Sequence, residues 1–249
     1  VLSIEYKGHT DMIRTMSTDP KGQFLLTGSD DCTIKVWEVQ TSRCLKTVKM
    51  GEGEVVRSVE WNPNEAISLV AVAAGKRLLV INPGVGDSLV IGKTDVLLKE
   101  EPALDVILSE RIKATVRWEK VEEDDWEKMG LRLALHHFKE ITQVTWHGRG
   151  DYFATVMPEG QNRSVLIHQL SRRRSQVPFT KSKGLIQCVL FHPTKPVLFV
   201  ATQRHVRIYD LVKQTLVKKL LTNSKWISRM AIHSGGDNLL VGTYDRKIL

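Results

Sequence analysis

A turn that recurs at a near-constant interval limits the folds open to this chain more than any other feature. Short apolar runs end in Thr18-Asp19-Pro20, Trp61-Asn62-Pro63, Trp146-His147-Gly148, Phe191-His192-Pro193 and Ile232-His233-Ser234. The turns therefore fall at positions 20, 63, 148, 193 and 234, separated by 43, 85, 45 and 41 residues. A repeat of this size is one supersecondary unit that cannot bury its apolar face alone and must stack on its neighbours. The first unit reads as four strands over 12–18, 23–28, 33–39 and 44–50, each rich in β-branched or apolar residues and separated by Gly, Asp and Ser turns. Arg207-Ile208-Tyr209-Asp210 repeats the chemistry of Lys35-Val36-Trp37-Glu38, and Thr243-Tyr244-Asp245 repeats the Asp-bearing turn of that unit.

Four-stranded antiparallel sheets at a spacing of roughly 40–45 residues predict an all-β WD40 β-propeller, with residues 1–249 as a single incomplete domain of about five blades. The interval of 85 holds the exception. The third strand of unit two falls at 78–81 and its fourth at 131–135, which places residues 84–130 as an insertion between them. That stretch carries 12 acidic and 7 basic residues, whereas the rest of the chain carries 16 and 29. A hidden blade is disfavoured there, because Glu122-Glu123-Asp124-Asp125 and the lack of turn-spaced apolar runs do not suit four strands. At 249 residues with 42% hydrophobic and 26% charged residues, the chain has the makings of a packed core. Its longest apolar stretch, 66–74, is far short of the ~20 residues that span a bilayer, and no membrane is expected. The absence of a basic-then-apolar leader gives no sign of secretion, and the lack of an initial Met suggests a fragment. Cys32, Cys44 and Cys188 are odd in number and widely spaced, which reads as reduced, intracellular thiols.

The chemistry-bearing residues point away from catalysis. His9, a hydroxyl from Thr27 or Ser29, Asp31 and Trp37 have the spacing of a hydrogen-bonded set that stiffens a blade. The same residue types serve in hydrolases, but no Gly-x-Ser-x-Gly elbow accompanies them. Only blade one carries the full set, so the later blades are expected to rely on packing. His147, His192 and His233 occupy one place in three repeats and would be spread around the ring; His136 and His137 are adjacent on a strand and point to opposite faces. With no His-Glu-x-x-His or Cys-x-x-Cys, neither a metal nor a cofactor is expected. Net charge is +8. Arg172, Arg173, Arg174, Lys181 and Lys183 form a basic loop suited to phosphate contacts with RNA, and Phe179 within it is expected to pack against the blade rather than stack on a base. Lys35 and Arg43 of blade one are candidates for protein contact. Trp118 and Trp126, set among acidic residues, are expected to anchor the insertion.

Several strings resemble a particular group of WD-repeat proteins. Trp61-Asn62-Pro63, Val80-Ile81-Asn82-Pro83, Gly130-Leu131-Arg132-Leu133, the run from Val144 through Trp146-His147-Gly148-Arg149-Gly150-Asp151-Tyr152, and Leu166-Ile167-His168-Gln169-Leu170-Ser171-Arg172-Arg173-Arg174-Ser175-Gln176 are similar to the Block-of-Proliferation (yeast Erb) family. The resemblance covers essentially the whole chain, insertion included. It implies a seven-bladed C-terminal propeller of which about five blades are present, in a non-catalytic scaffold for large ribosomal subunit biogenesis and pre-rRNA processing. It further implies a nucleolar and nucleoplasmic location, contact with rRNA in the pre-60S particle, and a WD-repeat partner within the PeBoW complex. Pescadillo, the other member, is engaged by an N-terminal region outside this segment. Residues 2–7 are expected to complete the last blade. The competing reading is a general WD40 adaptor that takes acidic peptides, for instance as a ubiquitin-ligase substrate receptor.

Overall fold

The computed structural model describes residues 3–100, 110–179 and 184–249. Blade one is the sheet β1 (Ile13–Thr18), β2 (Phe24–Ser29), β3 (Thr33–Glu38) and β4 (Cys44–Lys49), antiparallel and in chain order. Blade two begins with β5 (Val56–Trp61), β6 (Val70–Ala74) and β7 (Arg77–Ile81). The chain then forms α1 (Ser88–Lys99), α2 (Glu110–Lys113), β8 (Val116–Glu119) and α3 (Glu123–Lys128) before returning as β9 (Leu131–His137). β9 pairs with β7, and β8 adds to the outer side of β9 as a fifth strand. Blade three holds β10 (Gln143–Trp146), β11 (Tyr152–Val156), β12 (Val165–Gln169) and β13 (Arg174–Gln176). Blade four holds β14 (Cys188–Phe191), β15 (Val197–Ala201), β16 (His205–Asp210) and β17 (Thr215–Leu221), and β18 (Ile227–Ile232) pairs with β19 (Leu239–Thr243) in the fifth unit. No helix among the described residues is long and apolar enough to cross a membrane.

Each apolar cluster is shared by two neighbouring blades, as the repeat argument requires. Leu26, Val36, Val56, Val59, Val70 and Leu79 join blades one and two, and Ala154, Ile167, Phe191 and Leu198 join three and four. β6, buried along its full length, lies between two such faces, which is why its sequence is continuously apolar rather than alternating. The first strands of successive blades are also zipped by side-chain-to-backbone hydrogen bonds. The Val59 and Trp61 N–H groups donate to Thr15 Oγ1 (3.0 Å) and Ser17 Oγ (2.9 Å). One blade on, the Val144 and Trp146 N–H groups donate to Ser58 Oγ (3.1 Å) and Glu60 Oε2 (3.0 Å). Between blades three and four, Val189 N–H donates to Gln143 Oε1 and Gln143 Nε2 donates back to the Val189 carbonyl, both at 2.8 Å. These first strands have no further strand on their inner side, so polar side chains there satisfy backbone groups of the next blade.

Gly28 marks a close approach of blades one and two, since a Cβ there would sit 2.4 Å from Val56 Cγ1, and 2.8 Å from Thr15 Cγ2 within blade one. The repeated turn has its own chemistry. Asp19, Asn62, His147, His192 and His233 each accept a backbone N–H from two residues ahead, at 2.9–3.3 Å. The three histidines that a metal reading singles out are therefore turn caps, one per blade, interchangeable with Asp and Asn because each offers a short-range acceptor. Residues 3–10 form no strand. Tyr6 lies over blade one, its hydroxyl donating to the Val39 carbonyl (2.9 Å) and its ring edge-on to Trp37 at 5.7 Å.

Candidate nucleic-acid interface

The blade-one set forms a closed relay. The Trp37 indole N–H donates to Thr27 Oγ1 (2.8 Å), Thr27 Oγ1 lies 2.7 Å from His9 Nε2, and His9 Nδ1 lies 2.8 Å from Asp31 Oδ2. An indole only donates and a carboxylate only accepts, so one arrangement satisfies each bond: Trp37 to Thr27, Thr27 to His9, His9 to Asp31. Burial opposes ionisation of Asp31, but bonds from Thr33, the Thr10 N–H and His9 outweigh it and hold the carboxyl well below the usual range. Thr27 is 3% exposed, so its hydroxyl faces the blade interior rather than solvent. Ser29, the other hydroxyl candidate, works separately: it accepts the Asp31 N–H (3.1 Å) and donates to the Asp11 carbonyl (3.2 Å).

The full set with its carboxylate is that of blade one, but blade three does not rely on packing alone: it holds a different relay. Trp118 Nε1 donates to Ser175 Oγ (3.0 Å), which lies 2.7 Å from His168 Nδ1; His168 Nε2 is 2.9 Å from Thr155 Oγ1, which is 3.0 Å from His137 Nε2. The same proton logic runs the relay from Trp118 to His137. Thr155 replaces Thr27, His168 replaces Trp37, and His137 arrives from β9 of the preceding blade. Sequence reasoning missed it because no Asp or Trp stands at the expected positions and the indole comes from the insertion. Burial pushes His137 down to about 3 and His168 well below the ordinary imidazole value, so both rings are neutral.

The insertion is fastened at several points. Arg132, on β9, pairs with Asp95 of α1 (2.6 Å), donates to the Trp126 carbonyl (2.6 Å) and lies over the Trp126 ring at 4.0 Å. Asn82 Nδ2 also donates to Asp95 Oδ1 (2.8 Å). Trp118 and Trp126 both pack on the cluster shared by blades two and three. Arg173 of the basic loop completes the attachment, its guanidinium donating to the Leu98 carbonyl at the end of α1 and to the Glu100 carbonyl. The loop is thus partly structural. Arg174 Nε donates to Gln169 Oε1 (3.0 Å), Arg172 is exposed, and Lys181 and Lys183 lie outside the described residues. Phe179 is buried and stacks on Tyr209 at 4.5 Å. On blade one, Lys35 is half-buried and donates to Thr47 Oγ1 (3.0 Å), while Arg43 is exposed.

A second cationic feature emerges only in three dimensions. The first strands of blades one, two and five break register at Arg14, Arg57 and Ser228, the residues skipped in their pairings with β2, β6 and β19. A bulge re-aims the extra residue, here into a cleft of about 1190 Å³ at one mouth of the central axis. Thr142 and Gln187 line the same cleft from blades three and four, joined by Arg204, Lys225 and Arg229. Arg14 is neutralised by Asp30 at 2.6 Å, and its hydrogen bond holds that carboxyl low. Arg57, Arg204, Lys225 and Arg229 form no ion pair among the described residues; Glu140 is the acid on the wall. A sequence signal for part of this existed: between residues 203 and 236, seven cations (Arg204, Arg207, Lys213, Lys218, Lys219, Lys225, Arg229) face the single acid Asp210.

Blades of four antiparallel strands, an indole–hydroxyl–imidazole–carboxylate relay and polar zippers between first strands define a WD-repeat β-propeller. The family model for the WD domain, G-beta repeat, matches residues 1–38. The particular group follows from whole-chain likeness. The chain is 65% identical over 249 residues to the ribosome biogenesis protein BOP1 homolog of Drosophila mojavensis, covering 100% of this chain and 31% of that protein. It is 66% identical over 247 residues to the BOP1 homolog of Culex quinquefasciatus, covering 99% of this chain and 28% of the relative. With that of Aedes aegypti it shares 66% over 244 residues, 98% of this chain and 28% of the relative. The chain belongs to the Block-of-Proliferation family, and it spans about three tenths of the length of these relatives.

Proposed function

We propose that this chain is a non-catalytic scaffold in biogenesis of the large ribosomal subunit, acting in pre-rRNA processing through contacts with rRNA and a WD-repeat partner. The observation that carries the reading is 65–66% identity along the whole chain, insertion included, to relatives named as ribosome biogenesis proteins. A rigid array of blades with its polar groups tied into relays suits a docking platform, because it presents surfaces without paying for their ordering at each encounter. In this reading the chain works in the nucleolus and nucleoplasm on the pre-60S particle. Its WD-repeat partner is that of the PeBoW complex, and Pescadillo is engaged through other parts of the full-length protein. Arg172, Arg174, Lys181 and Lys183 are assigned to phosphate contact, with Arg173 shared between that role and α1; Lys35 and Arg43 are assigned to the partner.

Affinity purification of the tagged chain from nuclear extract, followed by gradient sedimentation, tests this. Co-sedimentation with pre-60S particles and recovery of a WD-repeat protein are expected. A chain that stays at the top of the gradient and recovers ubiquitin-ligase subunits instead refutes the scaffold reading in favour of an adaptor.

A further inference from the structure

We infer that the outward face of α1 docks a basic amphipathic helix of a partner protein, with one cationic side chain of that helix seated between blades one and two. The inference stands on geometry and charge and does not rest on the scaffold reading. α1 lies at the end of the blades opposite Arg14 and Arg57, beside the turns that follow β1 and β5. Its inward face is pinned: Thr94 Oγ1 accepts the Ser68 N–H (3.0 Å), Asp95 pairs with Arg132 (2.6 Å), and Leu98 is buried. The helix cannot roll, so its other side stays in water. That side lacks the polar set of an ordinary surface helix. Leu89 is 70%, Val96 63% and Leu97 51% exposed. Leu89, Gly92 and Val96 follow at i, i+3 and i+7, the spacing of a seam between two packed helices. Gly92 weakens the helix relative to Ala, yet a Cβ there would meet nothing within 4 Å, so no contact within the chain calls for it. Bare backbone at the centre of a seam lets a second helix approach closely.

Charge around the seam selects the partner. The first turn of α1 borders a hollow of about 70 Å³ lined by the stacked rings of Phe24 and Trp61, whose centroids are 6.2 Å apart. Asp19, Glu65 and Asp87 stand on its walls against the single cation Lys21, and Glu65 forms no ion pair among the described residues. Aromatic rings beside carboxylates suit a Lys or Arg side chain, whose stem packs on the rings while its head meets the acids. α3, held beside α1 by the Arg132 bridge to Asp95 and the Trp126 carbonyl, adds the exposed Glu122, Glu123 and Glu127. Lys99 is turned to the Trp126 ring (5.7 Å), which leaves Lys93 as the cation beside the seam and calls for a small or acidic residue opposite it. At the other end of α1, Leu97, Ile67 and Leu170 line a second hollow of about 190 Å³ that takes an apolar side chain. A nucleic acid fits this face poorly, since the carboxylates repel phosphates and the exposed side chains are aliphatic.

Fluorescence anisotropy with labelled model peptides of about 18 residues, five helical turns, tests the proposal on the 249-residue chain. One peptide arranges leucine and lysine as an amphipathic helix, a second permutes the same residues so that no apolar face forms, and a third has glutamate in place of lysine. The first should bind most tightly. Three variants are compared, each checked for native circular dichroism. Leu89→Ser with Val96→Ser removes the apolar seam and should weaken binding at least about tenfold. Glu65→Lys with Asp87→Asn, which keeps an N-cap on α1, should weaken it at least about threefold and flatten its salt dependence. Gly92→Gln favours the helix but fills the seam, so Tm should hold or rise while binding falls. Unchanged binding in the seam variant overturns the site, and a lowered Tm alongside it points to cover from within the chain. Equal binding of the glutamate peptide overturns the basic partner. A parent chain that is dimeric by light scattering, and monomeric as Leu89→Ser with Val96→Ser, overturns the partner in favour of a second copy. An oligouridine that binds the parent and is lost with the seam variant overturns protein in favour of RNA.

Discussion

Glu60 and the two buried histidines set opposing pH dependences, and replacing Glu60 with Gln should separate them. Glu60 accepts the Trp146 N–H between blades two and three, and burial pushes its carboxyl up to about 7 against the hydrogen bonds it receives from Thr145 and Trp146. Its folded form therefore keeps a proton that the unfolded chain releases down to about pH 4.3. Stability from this group is gained as pH falls from 7 to 5, by up to about 2 kcal/mol. His137 and His168 run the other way. Both are depressed by burial, so their contribution is complete above the unfolded value near 6.5 and is lost as pH falls through it. Both lose part of that contribution between pH 7 and 5, equally in parent and variant. Glu60→Gln should thus lose about 2 kcal/mol more than the parent over that interval, because Gln keeps an acceptor for Trp146 but binds no proton. Urea unfolding followed by tryptophan fluorescence at pH 7 and pH 5 measures both. Other groups, including the lowered His147, cancel in the comparison. Parallel profiles for parent and variant would show that folded Glu60 takes up no proton between pH 7 and pH 5, and the reasoning would be refuted.

Three further outcomes follow from contacts in single blades. Thr27→Val keeps shape but leaves the Trp37 indole and His9 without their shared hydroxyl, and should cost about 1–3 kcal/mol by chemical denaturation; a neutral result would mean the relay does not stiffen the blade. Gly28→Val places methyl groups against Val56 and Thr15 and should cost about 1–3 kcal/mol through overpacking, seen as a lowered Tm. Trp118→Phe removes the donor to Ser175 while keeping an aromatic ring; limited proteolysis should cut within 84–130 faster, with overall stability down by about 1 kcal/mol. Equal cutting rates would show that the Trp118–Ser175 bond is not what holds the insertion.

Much of the architecture was readable because it is local. A strand announces itself within six residues and a turn within three, so the four strands of blade one were readable from periodicity and punctuation alone. His9, Thr27, Asp31 and Trp37 stand at fixed offsets in one unit, and their relay was legible for the same reason. The relay of blade three was not, because Trp118 and Ser175 meet across 57 residues and the insertion supplies the donor. Arg173 likewise reads as one of three free cations until α1 is packed 75 residues away in the chain, where the Leu98 carbonyl takes its guanidinium. The basic mouth is the extreme case. Arg57 and Arg229 are remote in sequence, and only two bulged first strands and the closing curvature of the blades bring them to one cleft. Short-range preferences write strands and turns into the sequence; which surfaces face each other is decided when apolar faces too large for any single sheet find their neighbours.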